Sequence, residues 1–94
     1  MRKIAVTNKY KKDLELAKRR HLPMDELNDV IYNLANDILL PKDKKDHALK
    51  GIYTGFRECH IKPDWLLVYK KVDDNELQIL TLARTGTHSD LFKK

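Results

Sequence analysis

Ninety-four residues, 41% hydrophobic and 35% charged, describe one folded domain spanning 1–94 rather than a disordered or multidomain chain. The net charge of +5, with the four histidines neutral, favours a polyanion or an acidic protein as partner, and charge alone does not choose between them. No apolar run approaches the roughly 20 residues of a membrane helix and no signal-peptide core opens the chain, so the reading is no membrane and a cytoplasmic location.

In chain order the pattern predicts an α+β meander. Lys3 to Val6 is a short β-type run. Thr7 or Asn8 can cap the helix that follows, since either side chain accepts from a free backbone N–H. Tyr10, Leu14 and Ala17 make its apolar stripe, and Lys11, Lys12, Lys18 and Arg19 form a cationic face on the other side. Pro23 breaks the chain and Asp25 is the expected cap of a second helix. There Leu27, Val30, Ile31, Leu34 and Ile38 repeat as a core-facing stripe until Pro41 stops it. Two helices should thus form a hairpin pressed on one face of a mostly antiparallel β-sheet.

A polar segment, Lys42 to Lys50, carries His47 into the sheet. Strands are predicted at about Tyr53–Ile61 and Trp65–Lys71, joined tightly at Lys62-Pro63-Asp64. Asp73-Asp74-Asn75 is a turn signal, and Glu76 to Ala83, apolar on both faces, reads as an interior strand. Cys59, the only cysteine, excludes an internal disulfide; it reads as a small buried residue in a strand, and fits a reducing compartment.

The chemistry lies at strand and loop ends. His47, His60 and His88 sit there rather than on a helix stripe, and imidazole exchanges protons near neutrality. RNA carries its own nucleophile, the ribose 2′-OH, so a base, an acid and a cation suffice without metal. Asp64 is a candidate to orient a histidine or act as base, against a plain turn role after Pro63. Trp65 is a candidate to stack a base, against a place in the core; Phe92, near the end of the chain, is a second stacking candidate. Arg84 is a candidate to neutralise phosphate. His21, closing a helix, receives no role. No H-x₃-H pair lies on a helix and the cysteine stands alone, so the zinc signal is weak and no cofactor is expected.

Three blocks, DHALKG (Asp46–Gly51), FRECHIKPDWLLVYK (Phe56–Lys70) and RTGTHSDLF (Arg84–Phe92), closely resemble the YafQ branch of the RelE-like bacterial toxins. The similarity runs over essentially the whole chain. It implies a ribosome-dependent mRNA endonuclease, held inactive by a cognate antitoxin, that cuts mRNA in the ribosomal A site. The cut is by 2′-OH attack, leaving a 2′,3′-cyclic phosphate or its 3′-phosphate product. By resemblance the functional positions are His47, His60, Asp64, Trp65, His88 and Phe92. His88 is the implied general acid, the base stays open among His60, His47 and Asp64, and Phe92 would stack on or steer a base.

RelE itself relies mainly on arginines and lysines. Leu66 and His88 stand here where that branch has arginines, so the mechanism should follow the histidine-rich branch. Lys93 and Lys94 extend past Phe92, where they can alter phosphate contacts. The ParE branch, which poisons gyrase, lacks this histidine set. The alternatives are a non-catalytic basic module that blocks translation on RNA or the ribosome and, more distantly, a metal hydrolase.

Overall fold

The computed structural model describes residues 1–92. The chain runs β1 (Lys3–Val6), α1 (Asn8–Arg19), α2 (Met24–Ala35), β2 (His47–Ala48), β3 (Arg57–Lys62), β4 (Trp65–Asp74), β5 (Leu77–Gly86) and α3 (His88–Leu91). The sheet order is β1-β5-β4-β3-β2, with β1 parallel to β5 and every other pair antiparallel. This is the expected α+β arrangement, and β5 is indeed interior.

Thr7 makes the first corner. Its hydroxyl accepts from the Tyr10 N–H at 3.0 Å, capping α1, and donates to the Ala83 carbonyl at 2.6 Å, tying the cap to β5. Tyr10 and Ala17 are buried as the stripe predicts, while Lys11, Lys12, Lys18 and Arg19 are exposed.

α2 corrects the sequence reading twice. Asp25 lies inside the first turn rather than at the cap, which is Pro23 and has no side-chain bond. The helix also ends at Ala35, six residues before Pro41. A Schellman closure stops it: the Ile38 N–H reaches the Asn33 carbonyl at 2.8 Å, the Asp37 N–H reaches Leu34 at 3.2 Å, and Asp37 is left-handed at φ 55°. Arg2 and Lys71 hold the Asp37 carboxylate at 2.9 and 2.7 Å, so a non-glycine residue is kept at that corner. Ile38 consequently leaves the stripe and is exposed.

β3 begins at Arg57 rather than near Tyr53, because Gly51 (φ 70°) and Gly55 (φ 94°) bend the preceding segment around a short 3₁₀ turn. β4 and β5 both outrun their predicted limits. Their turn shrinks to Asn75-Glu76, and β5 continues to Gly86 because Thr85 and Gly86 pair with Leu67 and Leu66.

The two sheet faces have separate cores. Tyr10, Leu27 and Leu34 from the helices pack on Cys59, Ile61, Trp65, Leu67, Leu80 and Leu82. Fully burying one such aliphatic side chain is worth roughly 1.5–3 kcal/mol, so this is the main stabilising face. The opposite face carries a smaller cluster, Leu66, Val68, Ala83 and Leu91, with Tyr53, Phe56 and Phe92 against it. α3, absent from the predicted elements, closes this second cluster.

Candidate active site

Strand alternation assembles half of the site. Cys59 and Ile61 face the helices, so Glu58 and His60, which alternate with them on β3, point to the other side of the sheet. His47 on β2 is in register with Glu58. The Glu58 carboxylate lies 3.6 Å from His47 Nε2 and 3.7 Å from His60 Nε2. Glu58 is only 5% exposed and lies between the two imidazoles.

The far ring nitrogens are anchored on backbone. His47 Nδ1 lies 2.7 Å from the Lys45 carbonyl and His60 Nδ1 3.2 Å from the Pro63 carbonyl. A carbonyl only accepts, so each Nδ1 carries the proton, and in the neutral ring Nε2 is left as the lone-pair nitrogen.

The other half comes from the chain end. Gly86 allows α3 to turn back tightly: a Cβ there would lie 2.9 Å from the Asp90 Cβ. Thr87 and Asp90 form a capping box around the first turn of α3. Asp90 also binds Arg20, at the C-cap of α1, at 2.7 Å; that guanidinium, with the Thr87 N–H, holds the carboxyl down at about 2. This frame fixes His88 at the first position of α3.

Asp64, from the β3–β4 turn, accepts from the His88 backbone N–H at 3.0 Å and from His88 Nδ1 at 2.6 Å. These bonds, the backbone one first, lower the Asp64 pKa and keep it ionised. With Nδ1 so engaged, Nε2 of His88 is the nitrogen presented to a ligand. Asp64 keeps the turn place expected of it, and from that turn its carboxylate is bonded to the His88 ring and backbone rather than standing free.

The His60 and His88 rings are 5.6 Å apart between centroids, inclined at 61°. One ligand atom from each of Glu58, His60 and His88 falls within 4.8 Å of the others, a set able to hold a metal ion. Glu58 is not among the residues that the sequence singled out. Its signal was present: two residues from His60 on one strand means one face.

Other candidates are placed differently. Trp65 is 2% exposed in the helix-side core, and its indole N–H donates to Thr85 Oγ1 at 2.9 Å. No ring face is open to a base, so the core alternative replaces the stacking role. Arg84 spends its fork on Asp13, at 2.7 and 3.1 Å, while the Thr85 N–H reaches the same carboxylate at 3.2 Å. β1 covers β5 only from Ile79 to Leu82, so Asp13 closes the edge beyond it, and Arg84 is compensated rather than poised for phosphate. Phe92 is partly buried, edge-on to Tyr53 at 5.8 Å. Lys93 and Lys94 lie outside the described residues. Burial pushes the Cys59 thiol up to about 12, so it is no nucleophile.

The chain is similar to known proteins over nearly its whole length. The family described as "Bacterial toxin of type II toxin-antitoxin system, YafQ" matches residues 2–93. The mRNA interferase toxin YafQ of Escherichia coli strain K12 is 42% identical over 92 residues, covering 97% of this chain and 96% of its own. YafQ in the crystal structure of the E. coli DinJ-YafQ toxin-antitoxin complex superposes with a TM-score of 0.85 at 41% identity, covering 97% of each chain. A metal-bound toxin from Helicobacter pylori superposes with a TM-score of 0.87 at 41% identity, covering 98% of this chain and all of the other.

Proposed function

The chain belongs to the YafQ family of type II toxin–antitoxin toxins, and from that membership we propose that it is a single-domain mRNA interferase acting on the ribosome. The observation that carries this reading is the meeting of His60 and His88, two imidazoles from distant segments, 5.6 Å apart on one face.

In the proposed reaction His60 Nε2 takes the proton of a ribose 2′-OH. The 2′-oxygen forms a bond to the adjacent phosphorus, the bond from phosphorus to the 5′-oxygen breaks, and His88 Nε2 gives that oxygen its proton. The products are a 2′,3′-cyclic phosphate and a 5′-hydroxyl, and water can open the cyclic ester to a 3′-phosphate. His88 must start doubly protonated, a form that Asp64 supports from the Nδ1 side. His60 becomes charged as it works, beside the low-exposure carboxylate of Glu58. His47, across the same carboxylate, adds positive charge near the phosphate when protonated. Phe92 steers or stacks a base.

The same donor set supports a second role. A divalent ion such as zinc on Glu58, His60 and His88 would occupy the His60 lone pair and displace the His88 proton that the transfers need. In the proposed chemistry such an ion inhibits.

The partner reading rests on the relatives, and charge suggests the face it uses. DinJ binds the E. coli relative, and we propose a cognate antitoxin here, acidic where it meets the Lys11, Lys12, Lys18 and Arg19 face of α1. The deciding experiment maps the ends of ribosome-bound transcripts after induction. Discrete internal cuts ending in cyclic or 3′-phosphate are expected; transcripts left intact while translation stops would replace the enzyme by a blocking module.

A further inference from the structure

A cavity of about 380 Å³ opens beside His60, walled by Glu26, Asp43, Lys44, Lys45, Lys62 and Pro63. It exists because β2 pairs with only two residues of β3, leaving the edge at His60–Lys62 to the 42–45 turn. We propose that this cavity seats a nucleotide adjacent to the scissile linkage, its phosphate met by Lys45 and its base entering between Pro63 and the 42–45 turn. The inference rests on the function proposed above and adds a substrate subsite to it.

The volume falls in the range of small-ligand pockets and suits one nucleotide. His60 is common to both spaces, so a strand that crosses the His60–His88 gap is led to the cavity one nucleotide along.

The walls are held. Lys44 Nζ donates to the Ile61 carbonyl at 3.1 Å, and Lys62 pairs with Glu26 at 2.7 Å. Lys45 differs: it is exposed and makes no ion pair among the described residues. It is also left-handed, at φ 50°, a conformation a lysine rarely takes without constraint. Its carbonyl is the 2.7 Å partner of His47 Nδ1, so the residue that offers the cavity a cation also sets the His47 ring.

The test is a cycle on ribosome–mRNA complexes. Transcripts carry a single abasic nucleotide on one or the other side of the cut, and the toxin is native or Lys45→Gly, which removes the ammonium yet accepts positive φ. Abasic substitution at one flank should raise the native KM about tenfold, the weight of one good contact, with kcat within about twofold. Lys45→Gly should raise KM on normal mRNA similarly, as should an uncharged methylphosphonate at that nucleotide's non-scissile phosphate, and the methylphosphonate and Lys45→Gly together should cost no more than one alone. Lys45→Gln, which keeps a side chain, serves if the glycine variant does not fold. Additive costs would mean that Lys45 touches something other than this nucleotide, and abasic sites without effect at either flank would mean an empty cavity; each overturns the inference while leaving the cleavage reaction standing. Native toxin that fails to cut normal mRNA removes the underlying function, and this subsite with it.

Discussion

Trp65 is where a binding role and a folding role can be separated by measurement. Its indole N–H donates to Thr85 Oγ1 at 2.9 Å, and that hydroxyl donates to the Leu66 carbonyl at 2.7 Å, with Thr85 1% exposed. Trp65→Phe removes one donor but leaves Thr85 bonded to Leu66. The lost hydrogen bond costs about 1 kcal/mol net, and the unfilled space about another 1 kcal/mol. Thr85→Val is worse despite its similar shape. It orphans the buried indole N–H, at about 1–3 kcal/mol, and removes the bond to the Leu66 carbonyl, at about 1 kcal/mol. In the Trp65→Phe background there is no indole N–H to orphan, so the same Thr85→Val step should cost about 1–2 kcal/mol less. For a domain of this size each kcal/mol shifts Tm by about 4–8 °C. Thermal unfolding of the four proteins should therefore show Trp65→Phe about 10 °C low and a clear coupling between the two sites. A Trp65→Phe protein with native Tm but lost mRNA cleavage would refute the core assignment and return Trp65 to base stacking.

Other outcomes follow from the site. His88→Ala should lower cleavage of ribosome-bound mRNA by about 10²–10⁴-fold. Its Tm should change little, since that side chain is 54% exposed. Asp64→Asn keeps the shape but withdraws the charge behind the imidazolium, so cleavage should fall with the fold intact; unchanged kinetics would remove Asp64 from the mechanism. Asp90 tests the frame under His88. Its folded pKa, about 2, lies below the ordinary 3.8, so its stabilisation is full above that ordinary value and is lost as pH falls toward 2. The Tm gap between native protein and Asp90→Asn should be open at neutral pH and close across that window; a gap constant with pH would show that the charge is not what holds α3. Zinc or copper ions should suppress cleavage and a chelator selective for them, which leaves ribosomal Mg²⁺ in place, restore it, with Glu58→Gln weakening metal affinity by titration; activation by the metal would instead favour a metal hydrolase.

Sequence alone determined whatever depends on neighbours in the chain. The stripes of α1 and α2, the Pro63-Asp64 turn and the interior character of β5 follow from periodicity and turn chemistry. The three toxin-like blocks reached the family directly. Tertiary structure decided the contacts between segments. Whether Asp64 acts as a base or orients a histidine depends on His88, 24 residues away in sequence. Arg84 lost its phosphate role to Asp13, and Trp65 lost its stacking role to the helix-side core, through partners 71 and 20 residues distant. Glu58 acquires its place between two histidines only when β2 pairs with β3. Local pattern says which face a side chain occupies; pairing register and packing say what stands opposite, and that opposition sets charge, tautomer and access.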